Sequence, residues 1–511
     1  MTSTNTHLPP LTLVIDQGSH ASRIAVFTQT GELIYLKSQT IATHTKSGIS
    51  SSLTYEQDAN EILSSIRQLL NNIPENLLNN IHCCSLCTQR STIVAWHKTS
   101  GDTLSPAISW QDTRAHSFIE TLRPFENDIK KITGLLLSAH YSASKIHWLL
   151  NNNATVKQAK KTSQLRISPL ASYLLFHLLN EKPYLIDHSN AQRCQLFDIQ
   201  QLKWSNKLLE LFNIQQHILP RCAPVINLYG HLYKNNIPLT AVVGDQNAAL
   251  YAFPALHNNT ALVNIGTGAF ILSPVTDIDP TSKLLRTLAS SNAEQCHFVS
   301  EGTVNGAGAA LSWAQQVEAN DNSNSDNNSD NDSENDSENN IFTQLPGWLT
   351  QVSSPPIFIN TVSGLGSPWW CNHAGEAIFL GIKNPSQAQR YVAIIESIVF
   401  LIVKNIEQLS IKPDTLFISG GLSKLDDLCH KLADCSQIKV LRFNTSETTA
   451  RGCAWLANRS LKNNHLGWED LHVSKQFFPS IRPSKAHPDE LKIRLRYEQF
   501  VGELYKRCQN G

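Results

Sequence analysis

The segment LTLVIDQGSHASRIAVFTQTGELI, Leu11 to Ile34, decides how the first half of the chain is read. An apolar run, Leu11–Ile15, enters Asp16-Gln17-Gly18-Ser19-His20, and a second apolar run, Ile24–Phe27, leaves it. Two such runs flanking a glycine turn predict a β-hairpin, with a further strand after Gly31. An ordinary hairpin has no need of an acid at its strand end. Asp16 beside a glycine and a hydroxyl, with Arg23 directed back toward it, makes the turn a candidate site.

Downstream, YEQDANEILSSIRQLLNNIP (Tyr55–Pro74) reads as a helix. Asp58 is placed to cap it, Glu61 completes a capping-box spacing, and Pro74 stops it. Ile62, Leu63, Ile66, Leu69, Leu70 and Ile73 recur at helical spacing. A strand-like segment before Thr88 leads into Gln89-Arg90-Ser91, and Ser205 caps a later helix. Strands and helices alternate to about residue 255, an α/β pattern.

The opening plan then recurs. ALVNIGTGAFILSP (Ala261–Pro274) again runs an apolar strand into Gly266-Thr267-Gly268 and out into another. DTLFISGGLSK supplies a strand–Gly–Gly–helix junction at Gly420 and Gly421. We read the recurrence as a weak internal repeat and the start of a second domain. The expected domains are residues 1–255 and 256–511, the second interrupted by an Asn/Asp/Ser insertion at 318–340. That acidic stretch has almost no apolar residue to offset the entropy of ordering, so a disordered surface loop is expected.

Composition narrows the functional classes. The 511-residue chain has zero formal net charge and only 16% charged residues, which gives no reason to expect nucleic acid or an anionic membrane as partner. Its eleven cysteines fit no disulfide framework, and Cys83-Cys84-Ser85-Leu86-Cys87 lacks a second pair at zinc spacing. Reduced thiols of a cytoplasmic protein are expected. The N-terminus MTSTNTHLPP does not read as a signal peptide, and SIVFLIV (Ser397–Val403) is too short to span a bilayer.

Several residues carry chemistry by type and place. Glycine turns let successive backbone N–H groups converge on phosphate oxygens, and a neighbouring hydroxyl adds a donor. Asp16 at a strand end beside such a turn suits Mg²⁺, which takes one or two carboxylates along with substrate phosphates. In TAVVGDQNAALYAF (Thr240–Phe253) a strand delivers Asp245 to a helix entry. There it could accept a proton from a substrate hydroxyl or simply cap the helix.

Taken in order, the motifs resemble the FGGY family of carbohydrate kinases, closest to its glycerol kinase branch. The resemblance runs from about Leu11 to Arg482. It rests on DQGSHASR, YEQDANEI, TQRSTIVAW, AISWQDTRA, DHSNAQRCQLFDIQQLKW, GDQNAAL, NIGTGAFIL, EGTVNGAGAALSW, SGLGSPWW, ISGGLSK and ETTARGCAWLA. It implies a two-domain α/β, actin/hexokinase-like (ribonuclease H-like) fold with ATP and substrate in the interdomain cleft. The implied activity is ATP-dependent phosphorylation of a sugar or polyol hydroxyl.

By the same resemblance Asp245 is the catalytic base and Asp16 the acid near Mg²⁺. Gly18, Ser19 and Arg23 form the first phosphate turn, and Gly266 and Thr267 the second. Gly308, Gly420 and Gly421 line the nucleotide. Arg90, Ser91, Trp110, His140, Asp245 and Gln246 fall at the acceptor pocket. Family members include dimers and tetramers, and nothing in the chain selects one.

The departures fall where the acceptor is chosen. Ser91 stands where glycerol kinases carry Glu, and His140 stands where they carry a glycerol-contacting Tyr. Losing such a partner should cost about 1.5–3 kcal/mol for the original substrate, so glycerol is not the expected preferred acceptor. His20 replaces a usual Thr or Ser in the phosphate turn, either as a surface substitution or as an added phosphate donor. Leu425 replaces an adenine-side Asn, and His147 reads as structural. The competing readings are a glycerol kinase with a remodelled pocket and a nucleotide-dependent regulatory protein without catalysis.

Overall fold

The computed structural model describes residues 10–47, 53–253, 259–276, 279, 281–323, 334–371, 374–445, 447–459, 472–480 and 488–509. The start of the N-terminal segment (1–9) and residues 324–333 of the acidic insertion lie outside this set. Helices Gly308–Ser323 and Glu334–Gln351 lead up to those insertion residues from either side. No helix among the described residues is long and apolar enough to cross a membrane.

The chain forms two compact units. One comprises Met1–Ala255, Arg286–Val299 and Glu447–Leu471; the other comprises Leu256–Leu285, Ser300–Ser446 and His472–Gly511.

The first unit is built on a six-stranded sheet. Its order is Ile226–His231, Pro238–Gly244, Ile81–Thr88, Leu11–Gln17, Ala21–Phe27 and Leu33–Thr40. Ala21–Phe27 runs antiparallel to Leu11–Gln17 and to Leu33–Thr40 on either side of it, and Ile81–Thr88 lies parallel to both Leu11–Gln17 and Pro238–Gly244. Burial explains the sequence pattern. Leu11–Gln17 is central and buried at every position, hence its near-continuous apolar run. Leu33–Thr40 is an edge strand, and Lys37 and other polar side chains keep it from pairing further.

Helix Ala59–Asn71 forms as its periodicity predicts, with Asp58 accepting from the Asn60 amide at 2.8 Å. The capping box does not close, because Glu61 instead takes the Ala42 amide at 3.3 Å. Ser205 caps helix Asn206–Leu211 as read.

Helix Thr448–Arg459 returns from late in the chain to this first unit. Asn458 donates to the Thr12 hydroxyl at 2.6 Å, and Thr240 donates to the Ala457 carbonyl at 2.9 Å. Gly452 rests directly on the Ala248 carbonyl of helix Asp245–Ala249, and any Cβ there would overlap that oxygen.

The second unit repeats the same strand plan. Cys296–Val304 (of which Ser300–Val304 belongs to this unit), Ala269–Val275, Thr260–Ile265, Thr415–Ser419, Lys439–Phe443 and Val473–Phe477 lie side by side in that order. The Thr260–Ile265 strand pairs antiparallel with its hairpin mate and parallel with Thr415–Ser419, as Leu11–Gln17 does with its own neighbours. Its core centres on the buried helix Gln387–Ile406, which explains the apolar SIVFLIV run without a membrane.

Candidate active site

Strand register brings the first unit's acids together. Asp16 is the cross-strand partner of Arg23 and also lies opposite Cys87, which on its other side faces Val243. Gly244 lies opposite Thr88, so Asp245 emerges one step beyond the same end of the sheet.

Asp16 is 3% exposed, and its Oδ2 is 3.5 Å from Nη1 of Arg23. Burial, the largest influence, pushes its carboxyl up to about 6. Arg23 opposes that shift, while Asp245 and Glu447 add to it. A carboxylate so short of compensation suits an arriving cation. No cluster of three or more metal-ligating side chains occurs among the described residues. Mg²⁺ commonly takes one or two carboxylates and fills its remaining positions with water and phosphate, which a lone buried carboxylate of this kind fits.

The turn after Asp16 is tight: the Gly18 amide donates to the Ala21 carbonyl at 3.0 Å. Gln17 is buried, donating to the Gly18 carbonyl at 2.9 Å and accepting from the Ser22 hydroxyl at 2.6 Å. The Ser19 hydroxyl accepts from Nε1 of Trp110 at 2.9 Å, joining the turn to a residue expected at the acceptor pocket. His20 is exposed, and its carbonyl takes the Ile41 amide.

Asp245 is the first residue of its helix, and Gly244 is the N-cap, so the acid does not cap. Its Oδ1 accepts from the Gln246 amide at 2.7 Å and lies 3.6 Å from Nε of Arg90. Arg90 also donates to Asn247 at 3.2 Å, and its side chain presses on Gly244. The acid remains about a quarter open to solvent, at 27%. It is thus accessible and oriented by a cation.

Three acceptor-pocket candidates meet around one residue absent from the sequence-based set. Ser91 is buried in the left-handed region (φ 64°), with its hydroxyl donating to the Arg193 carbonyl at 3.1 Å. Trp110 is 40% exposed, and Nδ1 of His140 bonds its carbonyl at 3.2 Å. A carbonyl only accepts, so Nδ1 carries the proton and the neutral ring keeps Nε2 as an acceptor. Desolvation, helped by the charge of Lys145, holds His140 below the usual imidazole range.

Lys145 itself is fully buried on helix Ser142–Asn152 and donates to the carbonyls of Ser91 (3.3 Å), Trp110 (3.4 Å) and His140. Its sequence signal is a lysine set among the buried positions Ala143, Ile146 and Leu149. The DHSN motif also has a place here. Buried Asp187 holds Ser189 and Asn190, and Ser189 accepts the Gly244 amide at 2.9 Å, just before Asp245. His147 is structural as read, bonded to the Phe212 carbonyl and stacked on Phe118.

In the second unit, the glycine candidates gather where the parallel strands Thr260–Ile265 and Thr415–Ser419 end. The Gly266 amide donates to the Gly268 carbonyl at 2.8 Å, Gly308 to Gly266 at 3.0 Å, and Ala309 to Thr267 at 2.9 Å. Gly420 has φ 89° and abuts the Ile265 carbonyl, so no side chain fits there. Gly421 has nothing within 4 Å of where a Cβ would stand, leaving its surface open to a ligand. Leu425 packs partly buried against the core.

Residues 11–251 match the N-terminal domain, and 261–461 the C-terminal domain, of the FGGY family of carbohydrate kinases. A glycerol kinase of Pseudothermotoga lettingae is 30% identical over 525 aligned residues, covering 98% of this chain and 97% of that protein. Among solved structures, Plasmodium falciparum glycerol kinase with ADP superposes with a TM-score of 0.83 at 22% identity, over 97% of this chain and 98% of that one. Gluconate kinase from Lactobacillus acidophilus superposes at 0.80 with 18% identity, over 98% of each. The fold, an α/β actin/hexokinase-like pair of domains, is therefore shared by kinases of different acceptors. The chain belongs to the FGGY family of carbohydrate kinases.

Proposed function

We propose that the chain transfers the γ-phosphoryl group of ATP to a hydroxyl of a small sugar or polyol other than glycerol. Asp245 serves as the base. The observation that carries this reading is the pairing of a partly exposed Asp245, oriented by Arg90, with a buried Asp16 at the same end of the sheet, one intervening strand away. The acceptor oxygen loses its proton to Asp245 as it bonds phosphorus, and the bond to the β-phosphate oxygen breaks to leave ADP. Arg90 lies beside the Asp245 carboxylate and holds it in place for the acceptor.

Asp16 would hold Mg²⁺, which neutralises phosphate charge when bound. Gly18, Ser19 and Arg23, and in the other unit Gly266 and Thr267, are assigned phosphate oxygens. Gly308, Gly420 and Gly421 are assigned the rest of the nucleotide. Trp110, His140 and Gln246 are assigned the acceptor, with the indole face against C–H groups. Ser91 is buried, with its hydroxyl donating to the Arg193 carbonyl, and it brings neither the charge nor the reach of the carboxylate it replaces. This supports an altered acceptor. Eleven cysteines without a disulfide favour a reducing, cytoplasmic setting.

The test is ADP release against a panel of polyols, ketoses and aldoses, with Asp245→Asn as control. Turnover on one sugar, lost in the variant, is expected. Glycerol turned over with micromolar KM and better than every sugar would overturn the acceptor assignment. ATP binding without turnover of anything would favour a regulatory protein.

A further inference from the structure

We infer that Lys145 is a positioning residue that sets the shape of the acceptor pocket, an inference that rests on the kinase reading. Its Nζ gathers three main-chain carbonyls from segments far apart in sequence: Ser91, Trp110 and His140. Each belongs to a residue at the proposed pocket, and two have a second donor. Ser142 Oγ also reaches the Ser91 carbonyl at 3.3 Å, and His140 Nδ1 reaches that of Trp110. The Trp110 and His140 rings stand 6.5 Å apart and tilted by 39°, and the shared ammonium fixes the backbone under both.

The chemistry requires the charged form. An ammonium has three N–H donors for three carbonyls, whereas a neutral amine has two and would turn a lone pair toward the third. The ionisable groups around it are Asp112, clamped by Arg114, together with His140 and Cys194. Burial pushes Lys145 down to about 7 and the charge of Arg114 adds to that, while Asp112 favours the ammonium, as do the three carbonyls it donates to. A packing role alone would be met more cheaply by an apolar side chain of the same length, since a buried charge carries a desolvation penalty. What an apolar side chain cannot do is hold three carbonyls at fixed spacing.

The experiment uses the acceptor found in the panel and compares wild type with Lys145→Met. Losing the charged donor is expected to raise acceptor KM about ten- to hundredfold, with ATP KM within about twofold. In parallel, wild-type acceptor KM is followed from about pH 7 to 9.5, above the range in which Asp16 and His140 titrate. It is expected to climb as Lys145 loses its proton, again without change in ATP KM. An unchanged acceptor KM in the variant, or equal rises in both KM values, overturns the inference. If Lys145→Met does not fold, the wild-type series decides alone: an acceptor KM flat with pH overturns it. Wild-type protein that binds ATP but turns over no acceptor sinks the kinase reading first, and the inference with it.

Discussion

Nε1 of Trp110 donates to the hydroxyl of Ser19 at 2.9 Å, so the indole proposed to face the acceptor is tied to the turn proposed to face phosphate. Trp110→Phe keeps a ring but removes the donor, and Ser19→Ala removes the acceptor of that bond. Each should lower kcat/KM several-fold. The double variant should lose less than the product, by a coupling of about 0.5–1.5 kcal/mol. Strictly multiplicative losses would mean the bond has no functional weight.

Asp16 costs stability in the absence of ligand. Its folded pKa, about 6, lies above its ordinary value of 3.8. Between those values the folded state holds more protons than the unfolded state, so stability falls as pH rises from about 4 to 6. Above that range the whole penalty is carried. Asp16→Asn should therefore raise the apparent Tm at pH 7.5, by roughly 1–3 kcal/mol of stability, while abolishing turnover. At pH 4.5 the gain should shrink, as a thermal-shift series across pH would record.

The two adjacent glycines of the second unit should respond differently. Gly420→Ala places a methyl group against the Ile265 carbonyl at a left-handed φ, and should destabilise the fold by about 2 kcal/mol or more. Gly421→Ala meets no protein atom within 4 Å, so Tm should hold. Any rise in ATP KM for Gly421→Ala then reports a nucleotide that comes close. Calorimetric melting and ATP titration of both variants separate the effects.

Asp58→Ala should cost about 1 kcal/mol by removing the cap of helix Ala59–Asn71. Glu61→Ala should cost less than about 0.5 kcal/mol, because Glu61 takes no part in that cap. Urea unfolding of the two variants makes the comparison.

The hairpin and the first helix were legible because local patterns determine them: an apolar run broken by Gly18, and apolar residues at helical spacing after Asp58. Glu61 had the right spacing for a capping box, yet its carboxylate found the amide of Ala42, a partner brought near only by the tertiary fold. Lys145 was illegible as a pocket residue for the same reason. Its three partners lie 54, 35 and 5 positions away, and all are main-chain oxygens that leave no trace in side-chain identity. Ser91 could be recognised as a departure. That its hydroxyl turns inward to Arg193, on a left-handed backbone, required coordinates.

The close seating of Gly452 on Ala248 bears on the order in which the molecule can be made. A ribosome that has just completed residue 255 has synthesised Asp16 and Asp245, but not the helix Thr448–Arg459 that supports them from behind. The first unit must wait, with Thr12 and Thr240 lacking their partners on that helix, while nearly two hundred further residues are synthesised. Until then the face of the first unit that receives this helix stays uncovered, so a chain ending before Thr448 lacks the support behind Ala248 even though the codons of Asp16 and Asp245 are intact.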